Sequence, residues 1–375
     1  GRSTHDSALR RVLEDTAVNE VRPGAQALDT HSQESDAAPL RVGVIGYGRV
    51  GRRRADLVRA HPGLALVAVA EPNAEGGALV SDCAVYRDGE ELLRHDLDAV
   101  FVCTPNAATT DLVSRALEAG RHVFAEKPPG RRVADVERMR DVEARCPGLT
   151  LKFGFNHREH DSVRLSRSMV ESGELGHLMW MRGIYGKAGG PGYERDWRTD
   201  PEVAGGGILL DQGIHMLDLF RLFAGEFSEV KSFVGQSFWR VGLEDNAFAL
   251  LSAENGAVAM LHSSATHWNH TFRLEVYLTE GYLVLDGFLT GSRSYGHETL
   301  VVGRRDWQDA DGARGNPREE RYQFDEDRSW ELEVEDFVSC IAKGARVVNG
   351  CSLDALRAME LVERVYADGG WQGLR

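Results

Sequence analysis

The chain has 375 residues, 42% apolar and 27% charged, which is enough for a sizeable core and too long for one ordinary α/β layer, so two domains are expected. A net charge of −14 argues against broad binding to nucleic-acid phosphates, and no apolar run approaches the about 20 residues of a membrane span. The cysteines Cys83, Cys103, Cys146, Cys340 and Cys351 are odd in number and show neither CxxC nor zinc spacing, which suits reduced thiols in a cytoplasmic protein.

Residues 1–39 read as a flexible leader. Leu9, Val12, Leu13, Ala17 and Val21 stand at helical spacing behind a cap at Asp6, and Pro23-Gly24 ends that helix. From Arg41 the texture changes. Apolar runs at 41–45, 66–70, 99–103 and 122–125 alternate with helical patterns at 52–60, 110–119 and 133–144, which predicts a parallel sheet covered on both faces. Residues 149–153 add an edge strand and close a first domain over 40–153. In residues 154–375 a helix at 162–172 precedes runs of period-two alternation at 178–185, 230–236, 247–252, 257–262, 274–278 and 282–285. Turns such as Glu254-Asn255-Gly256 join them as antiparallel hairpins. With helices at 207–223, 330–343 and 353–368, this predicts an α+β domain on a mostly antiparallel sheet.

Gly46-Tyr47-Gly48-Arg49-Val50-Gly51 follows the first strand and opens a helix. Glycines there permit a tight turn and let the backbone approach a pyrophosphate, whose charge the helix N-terminus favours. Glu71 ends the second strand about 20 residues further on, where a carboxylate accepts from ribose hydroxyls and repels a 2′-phosphate. NAD is therefore expected over NADP. Arg52, Arg53 and Arg54 are expected on a solvated helix face. Thr104-Pro105-Asn106 and Glu126-Lys127-Pro128 end two further strands on the same sheet edge, within reach of a cofactor and its reacting substrate. Lys127 there can hold a reacting hydroxyl and steady a developing alkoxide.

Asp211 and His215 lie four apart on the expected helix, sharing one face, so that the carboxylate can orient the imidazole and the imidazole can shuttle a proton. Gly205-Gly206-Gly207 just before them predicts a close backbone approach to a ligand or another strand. His157, His160, His262, His267 and His270 have no acidic partners at ligand spacing, so no metal is expected.

These residues together resemble the glucose–fructose oxidoreductase, inositol dehydrogenase and rhizopine catabolism (Gfo/Idh/MocA) family. The resemblance rests on Gly46–Gly51, Thr104-Pro105-Asn106, residues 116–123, Glu126-Lys127-Pro128 and residues 211–215. It implies an α/β chain with a Rossmann domain and a second domain whose open sheet makes dimers or tetramers. It also implies that Lys127 and His215 act at the reacting hydroxyl, while Asp211 holds substrate or orients His215. Residues 154–158, 192–198, 245–248 and 329–333 look like a branch acting on sugars for cell-surface polysaccharides or secondary metabolites. In that branch Arg158, Tyr193, Trp197 and Arg198 line the substrate side, where two arginines can clamp a phosphate or carboxylate. Thr109 departs from the family, many members of which carry histidine there.

The expected activity is NAD(P)-dependent hydride transfer at a secondary alcohol or ketone of a sugar, nucleotide sugar or cyclitol. The rivals are an NAD-recycling glycoside hydrolase and a dinucleotide-binding sensor without catalysis.

Overall fold

The computed structural model describes residues 38–73, 82–307 and 315–371. The leader helix expected at residues 7–21 lies outside them. Apolar runs build the first sheet: β1 (Leu40–Ile45), β2 (Leu64–Ala70), β3 (Ala84–Tyr86), β4 (Ala99–Val102), β5 (His122–Glu126) and β6 (Leu151–Gly154), all parallel, in the order β3-β2-β1-β4-β5-β6. β4 is buried at every position, as a strand covered on both faces must be. The crossovers are α1 (Arg49–Ala60), α2 (Gly89–Leu93), α3 (Asn106–Glu118) and α4 (Val133–Arg145). Strand order reverses between β1 and β4, so their carboxyl ends open the crevice in which such sheets take ligands.

The second sheet has the order β14-β13-β12-β11-β7-β10-β9-β8. Its strands are β7 (Leu178–Gly186), β8 (Phe227–Gly235), β9 (Asn246–Ala253), β10 (Val258–Ser264), β11 (Thr271–Leu278), β12 (Gly281–Asp286), β13 (Glu298–Arg304) and β14 (Glu319–Phe324). β7 and β10 run parallel and the other neighbours antiparallel, as expected of a mostly antiparallel sheet. α5 (Asp161–Glu171), the short α6 (Pro201–Ala204) and α7 (Ile214–Ala224) precede β8. α7 lies directly on β7: a Cβ on Gly183 would stand 2.5 Å from Met216 Sδ and 2.8 Å from Phe220 Cζ. The opposite face of the sheet is open and carries Trp180, Phe233, Phe248, Leu250, Val258 and Met260.

The last two helices return to the first sheet. α8 (Ser329–Lys343) places Phe337 edge-on to Phe101 and Phe124, at 5.6 and 5.7 Å between ring centroids, and those two rings stack at 5.0 Å. α9 (Ser352–Asp368) packs against both α4 and β8, so one helix bridges the layers built on the two sheets.

Three strands lie outside the sequence expectation. β3 is three half-buried residues, too short to show alternation. β13 follows a turn-rich stretch, and β14, Glu-Glu-Arg-Tyr-Gln-Phe at the sheet edge, buries no position fully. The helix expected over 207–223 also needs correction: Leu209–Gly213 forms a π turn before α7 begins. Its wider hydrogen-bonding ring changes the angle between Asp211 and His215, which a regular helix would have stacked on one face.

Candidate active site

The glycine loop has the geometry that its sequence predicts. Gly46 has φ +87, and a Cβ there would stand 2.6 Å from Cys103 O. A Cβ on Gly51 would lie 1.8 Å from Gly46 O, so α1 can meet β1 this closely with glycine alone. Gly48 caps α1 with no side-chain hydrogen bond, and the space around its Cα is open. Uncapped amides, a positive helix end and an open approach fit the pyrophosphate of a dinucleotide. Glu71 closes over the loop, its Oε2 accepting from Tyr47 N at 2.9 Å. Tyr47 itself is buried under the loop, and Arg49 and Val50 form the first turn of α1.

The three arginines of α1 do not form one solvated face. Arg52 is exposed, but Arg53 pairs with Asp327 at 2.9 Å and covers the Trp330 ring. Arg54 is fully buried, donating to Glu126 Oε1 and Glu333 Oε2, both at 2.6 Å, with its guanidinium between the rings of Phe124 and Trp330. Burial pushes the Glu333 carboxyl up to about 7 even beside Arg54, with Glu126 adding to the rise. Glu126, expected at the cofactor, is thus committed to a buried ion cluster that anchors the end of β5, next to Lys127. Asn106 is likewise engaged elsewhere: its Nδ2 donates to Ala204 O at 2.7 Å and ties α3 to α6. Pro105 caps α3, and Thr104 Oγ1 lies 3.5 Å from Oγ1 of Thr109, the residue that departs from the family pattern.

Lys127 reaches across the domain boundary. Its Nζ donates to the backbone oxygen of Asp211 at 2.7 Å and lies 3.9 Å from Asp211 Oδ1. Burial lowers its pKa, opposed by Asp211 and assisted by Arg198. The Asp211 carboxylate meets Lys187 Nζ at 2.7 Å and Arg198 Nε at 3.5 Å. Burial opposes its charge, but Lys187, Lys127 and Arg198 hold it well below the usual carboxylate range. Its partners are these cations rather than His215, so it does not orient the imidazole by a hydrogen bond.

His215 instead stacks face to face on His157, with centroids 3.6 Å apart and planes inclined by 13°. His157 is held by Tyr185 Oη at 3.0 Å from Nε2 and by Asn156 Oδ1 at 3.2 Å from Nδ1. His215 is 2% exposed, and its Nδ1 is buried with no hydrogen-bond partner. Burial, reinforced by Lys127 and His160, keeps its pKa well below the ordinary imidazole value. The ring is therefore neutral, with a lone pair that can serve as a base of less than ordinary strength.

The glycine triplet is explained by protein contacts. A Cβ on Gly207 would lie 2.1 Å from Glu244 O, and the Glu244 carboxylate accepts from Gly207 N at 2.8 Å, Leu209 N at 2.9 Å and Tyr366 Oη at 2.8 Å. It thereby caps the turn that carries Asp211.

Of the expected substrate-side residues, Arg198 and Tyr193 join the site. The Tyr193 ring lies 5.8 Å from Lys187 Nζ, and Arg198 also covers the Trp197 ring at 4.4 Å. Arg158 does not join it. Its guanidinium is buried and makes paired bonds of 2.7 and 2.6 Å to Asp218 and a third of 3.0 Å to Asp354, which occupies it structurally. Lys187 is the site residue that sequence reasoning missed. Its only local signal is its position one residue beyond the end of β7.

Comparison with known proteins places these features. Residues 40–150 match the oxidoreductase family with an NAD-binding Rossmann fold, and residues 163–284 match the GFO/IDH/MocA C-terminal domain. The chain belongs to the GFO/IDH/MocA family. It is similar to a dTDP-3,4-didehydro-2,6-dideoxy-alpha-D-glucose 3-reductase of Streptomyces antibioticus, 30% identical over 88% of this chain and 96% of that protein. D-glucoside 3-dehydrogenase of Escherichia coli is 32% identical over 61% of this chain and 71% of its own. Among solved structures, a mutant 3-ketoreductase from Actinomadura kijaniata, in complex with TDP-benzene and NADP, superimposes with a TM-score of 0.75 at 26% identity, covering 88% of this chain and 98% of that one.

Proposed function

We propose that this protein is an NAD(P)-dependent oxidoreductase acting on a secondary alcohol or ketone of a sugar, nucleotide sugar or cyclitol. The observation that carries this reading is the bond from Lys127, at the carboxyl edge of the first sheet, to the backbone of Asp211, in the π turn that leads directly into the helix bearing neutral, buried His215. A nicotinamide dinucleotide held by Gly46–Gly51 supplies the redox chemistry when bound. In the oxidative direction His215 takes the hydroxyl proton and Lys127 stabilises the charge developing on oxygen. Asp211, held by Lys187 and Arg198, fixes the Lys127 ammonium through its backbone oxygen. Glu71, directly after β2, supports NAD over NADP, whereas the solved 3-ketoreductase of Actinomadura kijaniata is in complex with NADP.

The open face of the second sheet supports a homodimer or homotetramer. Phe233 is 82% exposed there, beside Phe248, Leu250 and Met260, a contiguous exposed apolar stripe of the kind that a second subunit covers.

The test is a screen of sugars, cyclitols and nucleotide sugars with NAD and then NADP, following the reduced-nicotinamide absorbance. Stoichiometric cofactor conversion, abolished by Lys127→Ala and by His215→Ala, is expected. Glycoside release without net cofactor reduction would instead identify the recycling hydrolase, and tight cofactor binding without turnover the sensor.

A further inference from the structure

The site does not end at Lys187. The backbone of that residue is stitched to the segment after β10: its N donates to Ser264 O at 2.8 Å, and its O accepts from His267 N at 3.0 Å. Trp268 follows directly. A row of rings leads outward from the Lys187 ammonium. Tyr193 meets Trp239 at 4.8 Å, Trp239 meets Phe238 edge-on at 5.0 Å, and Phe238 meets Trp268 edge-on at 5.1 Å. Phe238 is 57% exposed and Trp268 62%.

The backbone presenting this row is pinned. Asp245, almost fully buried, accepts from Ser237 N and Phe238 N at 2.7 Å and from Trp239 N at 2.8 Å. Trp239 Nε1 donates to Ala265 O at 2.8 Å. Three amide donors satisfy this buried carboxylate, so the backbone beneath the exposed rings is fixed before anything stacks on them. At the inner end of the row, Lys127, Lys187 and Arg198 gather on the carboxylate of Asp211, Asp196 pairs with Arg198, and buried Asp245 lies beneath the rings. An ammonium carries three N–H donors and a guanidinium five, more than these acids take up, so Lys187 and Arg198 keep donors for an anion from outside the chain.

We propose that Lys187, Arg198 and the row from Tyr193 to Trp268 form a subsite for the nucleoside diphosphate of an activated sugar. Lys187 and Arg198 take the diphosphate, and the rings at Phe238 and Trp268 take the base. This rests on the reading of Lys127 and His215 as the reacting centre and adds the class of substrate that they serve.

The experiment titrates UDP and dTDP into protein saturated with NADH, so that the dinucleotide crevice is already filled, with tryptophan fluorescence and calorimetry as readouts. Saturable binding is expected, about tenfold or more tighter than uridine or inorganic pyrophosphate, weakening as salt is raised. Lys187→Met and Trp268→Ala should each weaken it about tenfold, with NADH affinity unchanged. If neither diphosphate binds while a neutral sugar reduces NAD, the subsite is refuted and the dehydrogenase reading stands. Diphosphate binding with no cofactor turnover on any sugar supports the subsite and removes the dehydrogenase reading. Binding of aryl glycosides that is indifferent to Lys187→Met, without diphosphate binding, overturns the proposal. So does a fall from oligomer to monomer in Phe238→Ala and Trp268→Ala with diphosphate affinity intact, which would make the rim a contact between copies.

Discussion

Replacing Arg54 by methionine removes a fully buried guanidinium and leaves Glu126 and Glu333 facing each other without a cation. Two bonds of 2.6 Å and two ring contacts, to Phe124 and Trp330, disappear together. Breaking a buried ion pair by deleting one partner costs about 3–5 kcal/mol, because the surviving charge is stranded. Here the stranded groups are acids, so protonation relieves them. Glu333 already sits at about 7 in the intact protein. A carboxyl whose folded pKa is raised keeps its contribution below the unfolded pKa, near 4.3, and loses it as pH rises through the folded pKa. Denaturant unfolding of the Arg54→Met protein should therefore show a deficit of about 3–5 kcal/mol at pH 8 that narrows toward pH 5. Adding Glu333→Gln to Arg54→Met should restore much of the loss at pH 8, since one of the two acids is gone. A deficit that is equal at pH 5 and pH 8 would refute the electrostatic account and leave only lost packing.

The remaining predictions concern the site. His215 is held neutral well below the ordinary imidazole pKa, so the acid limb of kcat/KM for oxidation should lie below about pH 6.5, with a plateau above it; an acid limb centred near 6.5 to 7 would count against His215 as the base. Its alkaline limb should come below the usual lysine value, because burial lowers the pKa of Lys127 and its charge is lost as pH rises through that lowered value. Gly51→Ala would place a Cβ 1.8 Å from Gly46 O, and equilibrium dialysis should show dinucleotide binding reduced by about a hundredfold or the protein failing to fold. Glu71→Ala should weaken NADH binding about tenfold and improve NADPH relative to it, read by fluorescence titration; an unchanged ratio would remove Glu71 as the selector.

Much of the fold was legible because its signals are local. The parallel strands read as short apolar runs, and the glycine loop reads as a turn needing φ +87 at Gly46 and no Cβ at Gly51. β14 was not legible, since an exposed edge strand has no apolar face to repeat. For the site, the sequence singled out Lys127, Asp211, His215 and Arg198, and the structure brings Lys127 and Arg198 onto Asp211, with His215 in the helix that follows. What it could not assign was which charge meets which. Arg52, Arg53 and Arg54 look alike in sequence, yet one is exposed, one holds Asp327 and one is sealed between two rings.

The pairs that decide these roles are far apart in the chain: Arg54 with Glu333, Arg158 with Asp354, and Lys187 with the π turn that re-aims Asp211. Each is set by long-range packing, to which local periodicity is blind. The consequence is directional. An arginine expected in a substrate clamp, Arg158, is spent on a buried pair, whereas a lysine with no motif, Lys187, faces the site. The cations gathered at Asp211 are thus Lys127, Lys187 from the end of β7 and Arg198, while Arg158 is held away on Asp218.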